Sequence, residues 1–384
     1  MGTISGQYLL KTSKRIVVKV GSSLLVSKEN DRLQLSWMQA LAQDLSDLRQ
    51  QGCEVILVSS GAVALGRQLS DVKNNSLKLE EKQALAAIGQ VELAMAWRSS
   101  FSKHNLTIGQ VLLTIDDTEN RRRWLNSSST LRTLLKLGVI PLINENDSVA
   151  SDEIRYGDND RLAARAAQMV GADLLVLLSD VDGLYSQDPT QSESAIHLPL
   201  VNRITEEITK MAGNSAAGPG SGGMTTKLLA ANIAAPAGCA TLIADGRLNS
   251  PLLALANGAK NTLFLPQMKP SQARKHWIAG LVQPKGSLQV DSGAAQALIK
   301  GASLLSAGIT NVQGKFERGE AVNIVDERGQ ELAVGLVSYS ADDVEKIQGL
   351  RSEQIQETLG YEPRKAVIHR DNMVVSERYD DDEN

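Results

Sequence analysis

Residues 214–231 read NSAAGPGSGGMTTKLLAA, and this stretch decides between two α/β folds. Gly218, Gly220, Gly222 and Gly223 fall within six positions, and a run of helix formers follows. Glycine-rich backbone running into a helix start leaves N–H groups unpaired at the positive end of the helix dipole, a ready anion site. Thr225, Thr226 and Lys227 add two hydroxyls and an ammonium at its mouth. The stretch suits a polyphosphate, with Lys227 reaching a terminal phosphate. It is not a Walker A loop, because Thr226 precedes Lys227 instead of following it. It does match G-x-G-x-x-G at Gly218, Gly220 and Gly223, and TLIAD at 241–245 ends in an acid about where a dinucleotide site wants one. That fingerprint requires a strand immediately before the glycines. RITEEITKMAG at 203–213 carries helical spacing instead, so the dinucleotide reading is the weaker rival. A plain loop between two helices is the bland alternative.

Upstream, short apolar runs alternate with helical patterns. RIVVKV at 15–20 closes on GSS, a helical pattern over 33–51 stops at Gly52, and EVILV at 54–58 runs into SSGA. Helical spacing over 79–101 is followed by a strand at 107–114 and a helix over 118–137 with the basic patch Arg121, Arg122 and Arg123. A strand at 138–143 exits into Asn144, Glu145, Asn146 and Asp147. GDND at 157–160 opens the next helix, 161–170. The apolar run 173–178 ends in SDVDGLY, and the helix 226–237 and strand 240–244 complete the series.

This alternation predicts an α/β fold, a doubly wound and mostly parallel sheet covered on both faces. Each polar cluster follows a strand or opens a helix. In such a sheet those ends share one edge, so Lys19, Ser60, Asp147, Asn159, Asp180 and Lys227 are expected to converge. The bland readings are that Lys19 snorkels to water from a strand end, that Ser60 is an ordinary helix cap, and that 144–147 is a turn.

Residues 266–285 hold three prolines and read as a linker with a short helix around 274–278. From 286 to 370 short strands spaced by turns predict a small β-rich domain, followed by an acidic tail at 371–384. The catalytic domain is thus expected over 1–265. At 384 residues the chain is long enough for two domains. Aromatics make up 3%, so the core must be aliphatic.

No apolar run reaches the roughly 18 residues of a spanning helix, and the start lacks the long apolar segment of a secretory signal. Cys53 and Cys239 have no metal spacing and read as two buried thiols in a reducing compartment. The net charge of −4 is uneven. From Lys285 onward 11 Lys and Arg face 18 Asp and Glu, leaving −7 there and +3 before it. The acidic excess argues against a nucleic-acid partner for the C-terminal part.

Six motifs, VKVGSS at 18–23, VSSGA at 58–62, INEND at 143–147, GDND at 157–160, SDVDGLY at 179–185 and SGGMTTK at 221–227, together resemble the amino acid kinase family. They run in order through residues 15–265. Departures are mild: Ser stands at 23, 59, 179 and 221, where Thr is also common. GSLQVD at 286–291, KFERGE at 315–320 and VIHR at 367–370 resemble an appended PUA domain.

The resemblance implies phosphorylation by ATP of the side-chain carboxylate of L-glutamate, with Mg²⁺, at the first step of proline synthesis. It implies a cytoplasmic homo-oligomer, dimer or tetramer, inhibited by proline and in contact with glutamyl phosphate reductase, and no membrane. Carried over by position, Lys19, Lys227 and Asp160 would be catalytic. Ser60, Asp147 and Asn159 would hold glutamate. Lys19, Ser179, Asp180, Ser221, Gly222, Gly223, Met224, Thr225, Thr226 and Lys227 would contact the nucleotide. It leaves the metal ligands unassigned. The four histidines lie outside all six kinase motifs, which suits a carboxylate acceptor that is already ionised at neutral pH.

Overall fold

The computed structural model describes residues 5–27, 32–70, 72, 77–150, 158–212, 223–268, 284–361 and 363–376. The chain divides into two compact units, Met1–Pro270 and Ser271–Asn384. The short helix expected around 274–278, the glycines of 213–222 and the tail from 377 lie outside the described residues.

The first unit is built on an eight-stranded sheet. In chain order its elements are α1 (Gly6–Thr12), β1 (Arg15–Val20), α2 (Ser22–Leu25), α3 (Leu35–Gln50), β2 (Glu54–Ser59), α4 (Ala62–Leu69), α5 (Leu79–Ser102) and β3 (Ile108–Leu113). There follow α6 (Ile115–Glu119), α7 (Arg121–Lys136), β4 (Ile140–Glu145), α8 (Asp158–Val170), β5 (Leu174–Ser179), β6 (Leu184–Tyr185), β7 (His197–Leu198) and β8 (Leu200–Val201). The unit closes with α9 (Glu206–Met211), α10 (Met224–Ala234), β9 (Ala240–Asp245), α11 (Pro251–Ala256) and β10 (Asn261–Phe264).

The strand order is β3-β4-β2-β1-β5-β9-β10-β8. From β3 through β9 every pairing is parallel. β10 runs antiparallel to β9, so the sheet is mostly rather than wholly parallel. β1 and β5, at its middle, are apolar along almost their whole length and buried. Strands covered on both faces read this way because neither face meets water. Ile16, Val18 and Val20 of β1 enter one large aliphatic cluster with α3, β2 and β5, which leaves Val17 and Lys19 on the other face.

Three local readings change. The helix expected over 118–137 is two, α6 and α7, because the Asn120 side chain accepts from the Arg123 N–H and restarts the helix. Residues 6–12 are a helix that the spacing did not announce. Ser60 is not the cap of α4. Gly61 fills that position at φ 104°, a left-handed conformation that favours glycine. Ahead of the glycine-rich stretch stands α9, a helix, not the strand a dinucleotide fingerprint needs.

Helices α4 and α5 meet almost backbone to backbone. A Cβ on Gly66 would lie 1.8 Å from the Leu85 carbonyl oxygen, and one on Gly89 1.9 Å from that of Ala62. This contact draws α5 against the turn that ends β2.

The second unit carries a five-stranded sheet in the order β12-β11-β13-β14-β15, formed by β11 (Gly286–Val290), β12 (Ile309–Gly314), β13 (Ala321–Val325), β14 (Glu331–Leu336) and β15 (Met373–Val375). Its described residues also form three α-helices, α12 (Ser292–Ile299), α13 (Ala341–Ile347) and α14 (Ser352–Leu359), which the reading of turns and strands passed over. Its core is its own cluster, including Leu288, Val322, Ile324, Val344 and Ile368.

Gly89→Ala is expected to force α4 and α5 apart and to cost about 1–3 kcal/mol, the usual penalty of overpacking. A lower urea midpoint with an unchanged slope would register it, and an unchanged midpoint would contradict the backbone contact.

Candidate active site

Parallel strands end on one edge, and the registers fix which residues share it. Val20 is level with Ser59 of β2 and Leu178 of β5, and Ser179 with Asp245 of β9. β1 stands between β2 and β5, so the chain leaves it in both directions. Ligands of open α/β sheets bind at the carboxyl edge beside such a crossing point.

Lys19 points from β1 toward the N-terminus of α8. Its Nζ lies 2.6 Å from Oδ1 of Asp160. The other oxygen, Oδ2, is 3.4 Å from Nζ of Lys227 and 2.8 Å from the Thr226 hydroxyl, both on α10. Two ammonium groups more than two hundred residues apart therefore share one carboxylate. All three side chains are buried, Lys19 at 6%, Asp160 at 0% and Lys227 at 3% exposure. Lys19 is thus no snorkelling strand end.

Burial pushes the Asp160 carboxyl up, yet Lys19 and Lys227 outweigh it and hold the group below its ordinary value. Burial pulls the Lys227 ammonium down, and Lys19 adds to this, while Asp160 opposes it. Asp160 is the third residue of α8, where a negative charge also meets the positive end of the helix dipole. The buried set carries two positive charges against one negative, an excess suited to an anion. Gly21 keeps the approach open, since a Cβ there would lie 3.9 Å from Lys19 Nζ and any longer side chain would cover it.

Asn159, the residue before Asp160, joins a different set. Its Nδ2 donates to Ser60 Oγ at 2.8 Å and to Asn144 Oδ1 at 3.1 Å. Its Oδ1 is buried and has no hydrogen-bond partner among the described residues. Asp147 sits on the turn just past β4, half-buried, and burial pushes its carboxyl up to about 6. Among the described residues no cation pairs with it. Neighbouring residues of a helix point about 100° apart. The first turn of α8 therefore separates a charged cluster from an uncharged amide cluster by one residue.

On the β5 side, Ser179 Oγ donates to Asp180 Oδ1 at 3.1 Å, and Asp180 lies close enough to pull the Lys227 ammonium toward retaining its proton. Asp180 is exposed, so water screens its charge. Gly223 is the N-cap of α10, with Met224 and Thr225 next. Ser221 and Gly222 lie outside the described residues. His197, outside the motifs in sequence, packs edge-on against Tyr185 with ring centres 5.2 Å apart, and Lys260 reaches the Tyr185 hydroxyl at 3.0 Å. Cys53 and Cys239 are buried free thiols whose pKa burial raises.

The sequence did not announce Gln90, whose Oε1 accepts from Asn144 Nδ2 at 2.6 Å, or Trp97, whose indole N–H donates to Ser59 Oγ at 2.9 Å. Both lie within an Ala- and Leu-rich helix, and only the polar atom of Gln90 at an inward position could have drawn notice. Among the described residues no three His, Cys, Asp or Glu gather into a metal cluster.

A buried cationic cluster set one helix residue away from an uncharged amide cluster suits an anion beside a second ligand, as in a phosphotransferase. Residues 14–245 match the model of the amino acid kinase family, and residues 286–359 match that of the PUA domain. The chain belongs to the amino acid kinase family. Among its relatives, the glutamate 5-kinase of Rhizobium etli is 51% identical over 363 residues, spanning 94% of this chain and 93% of its own. That of Paramagnetospirillum magneticum is 52% identical over 366 residues, 95% of this chain and 99% of its own. That of Caulobacter vibrioides is 51% identical over 376 residues, 97% and 100%.

Asp160→Ala would leave two buried ammonium groups without their counter-charge, a loss of roughly 3–5 kcal/mol. Denaturation in urea should reveal it, and added tripolyphosphate should recover part of the loss in the variant. A variant as stable as the parent would show that the two lysines do not depend on Asp160.

Proposed function

We propose that this chain transfers the γ-phosphoryl group of ATP to the side-chain carboxylate of L-glutamate, giving L-glutamyl 5-phosphate and ADP at the first step of proline synthesis. The adjacency of Asn159 and Asp160 on α8 carries the reading, because it sets an acceptor pocket directly beside a phosphoryl pocket. The names of the relatives supply the acceptor's identity.

Lys19 and Lys227 stabilise the charge on the migrating phosphoryl group, and Asp160 fixes their orientation. Ser179, Asp180 and residues 221–227 hold the nucleotide. Ser60, Asp147 and Asn159 hold glutamate. A carboxylate of ordinary pKa about 4.3 is ionised at pH 7 and needs no general base. One of its oxygens attacks the γ-phosphorus in line, and the bond to the β–γ bridging oxygen breaks, leaving ADP. Phosphoryl transfer is catalysed mainly by positioning and electrostatics. Two unit charges about 4 Å apart gain roughly 4 kcal/mol at an effective dielectric of 20, so two lysines can supply a large share of the barrier reduction. Mg²⁺ would be held chiefly by the nucleotide and would neutralise part of its phosphate charge. Asp147 pairs with the free α-ammonium of glutamate, which an N-acylated acceptor lacks. The family resemblance alone supports a cytoplasmic homo-oligomer inhibited by proline and in contact with glutamyl phosphate reductase.

Trapping the acyl phosphate with hydroxylamine, across a panel of amino acids and carbamate, should give hydroxamate with glutamate. Lys227→Ala should lower kcat by about 100-fold or more, on the scale of losing one oxyanion donor. Wild-type turnover by that variant, or no product from glutamate, would defeat the proposal.

The pKa of Asp147 gives a pH signature. Binding an ammonium favours the ionised carboxylate, so affinity is full above pH 6 and falls as pH drops through about 6. The KM for glutamate should rise below that point. Asp147→Asn should raise KM above pH 6, approach the parent below it, and so flatten the profile.

A further inference from the structure

Helix α5 holds no residue of the six motifs, yet it grips two strand exits and the segment that follows one of them, around the proposed acceptor pocket. Gln83 Nε2 donates to the Ala150 carbonyl at 2.8 Å, behind the turn that carries Asp147. Gln90 takes Asn144 at the end of β4. Trp97 takes Ser59 at the end of β2. The three contacts are seven residues apart, so they form one stripe along the rod at intervals of about 10 Å. The glycine contact at Gly66 and Gly89 brings this stripe within reach of the sheet edge.

The polarity of the chain of amides is fixed from one end. The Glu145 backbone N–H can only donate, and it lies 2.9 Å from Asn144 Oδ1. The atom Asn144 turns toward Gln90 is therefore its NH₂ group, and Gln90 must answer with its oxygen. Asn144 Oδ1 in turn accepts one hydrogen of Asn159 Nδ2, and Ser60 Oγ accepts the other. Both donors of the Asn159 amide are then spent. What remains is Oδ1, buried and unpaired among the described residues. An oxygen with no donor beside it suits a group that only donates, such as an ammonium.

We infer that Gln90 is a positioning residue for the acceptor: through Asn144 it sets the amide of Asn159 so that Oδ1 faces the α-ammonium of glutamate. The inference rests on the assignment of Ser60, Asp147 and Asn159 to the acceptor. Without the oxygen of Gln90, the Asn144 NH₂ group loses its partner and only the Glu145 N–H still holds the amide that positions Asn159. Among the described residues the hydrogen bond of Gln90 goes to Asn144, on the acceptor side, so its effect is expected on glutamate.

Gln90→Met keeps length and removes the acceptor oxygen, whereas Gln90→Glu keeps an oxygen toward Asn144. The first should raise the KM for glutamate about tenfold, the weight of one buried hydrogen bond. The KM for ATP should hold, and kcat should change by less than about threefold. The second should return the glutamate KM to within about threefold of the parent. In an Asn159→Ala background, Gln90→Met should add no further rise. Should Gln90→Met fold poorly, Gln90→Ala serves the same comparison. An unchanged glutamate KM in Gln90→Met, or an equal rise in the KM for ATP, overturns the inference while Asn159→Ala still raises the glutamate KM. If Asn159→Ala leaves that KM unchanged, the acceptor assignment itself falls.

Discussion

A single buried carboxylate, Asp160, lies between the ammonium groups of Lys19 and Lys227, and the rest of the first unit can be read as the means of holding it there. Two like charges cannot stay buried side by side without a counter-charge, because desolvation and mutual repulsion act together. One carboxylate makes the pair tolerable but does not neutralise it. The remaining positive charge sits in a water-poor setting, where it acts on an approaching phosphate far more strongly than it would in bulk solvent. The arrangement is costly for folding and useful for chemistry, and the apolar strands β1 and β5 beside it supply the burial that offsets the cost.

Three elements far apart in sequence bring these groups together: β1 gives one lysine, α10 the other, and α8 the acid. α8 also gives Asn159, one residue earlier and turned toward Ser60 and Asn144. A helix start is a good divider of this kind. Successive residues leave it in different directions, its free N–H groups favour negative charge, and its backbone is too rigid to let the two pockets drift. Helix α5 reinforces the division from behind by gripping the strand exits.

The second unit stands on different terms. It has its own sheet, its own aliphatic cluster and all of the acidic excess of the chain. Its match to the PUA domain gives its fold.

The sequence by itself determined the alternation of strands and helices, the parallel edge on which the motifs end, and the identity of Lys19, Asp160 and Lys227. Apolar periodicity and glycine placement are local signals, and a parallel sheet converts them into a shared edge. The sequence did not determine that β10 turns antiparallel, that Asn120 divides a helix in two, or that Gly61 rather than Ser60 caps α4. Only the tertiary structure decided which side chains spend their hydrogen bonds on one another. Gln90 and Trp97 are ordinary residues of an ordinary helix until folding sets them against Asn144 and Ser59, and the vacant oxygen of Asn159 exists only once its two hydrogens are taken. Such pairings depend on distances across the fold, and no spacing along the chain encodes them.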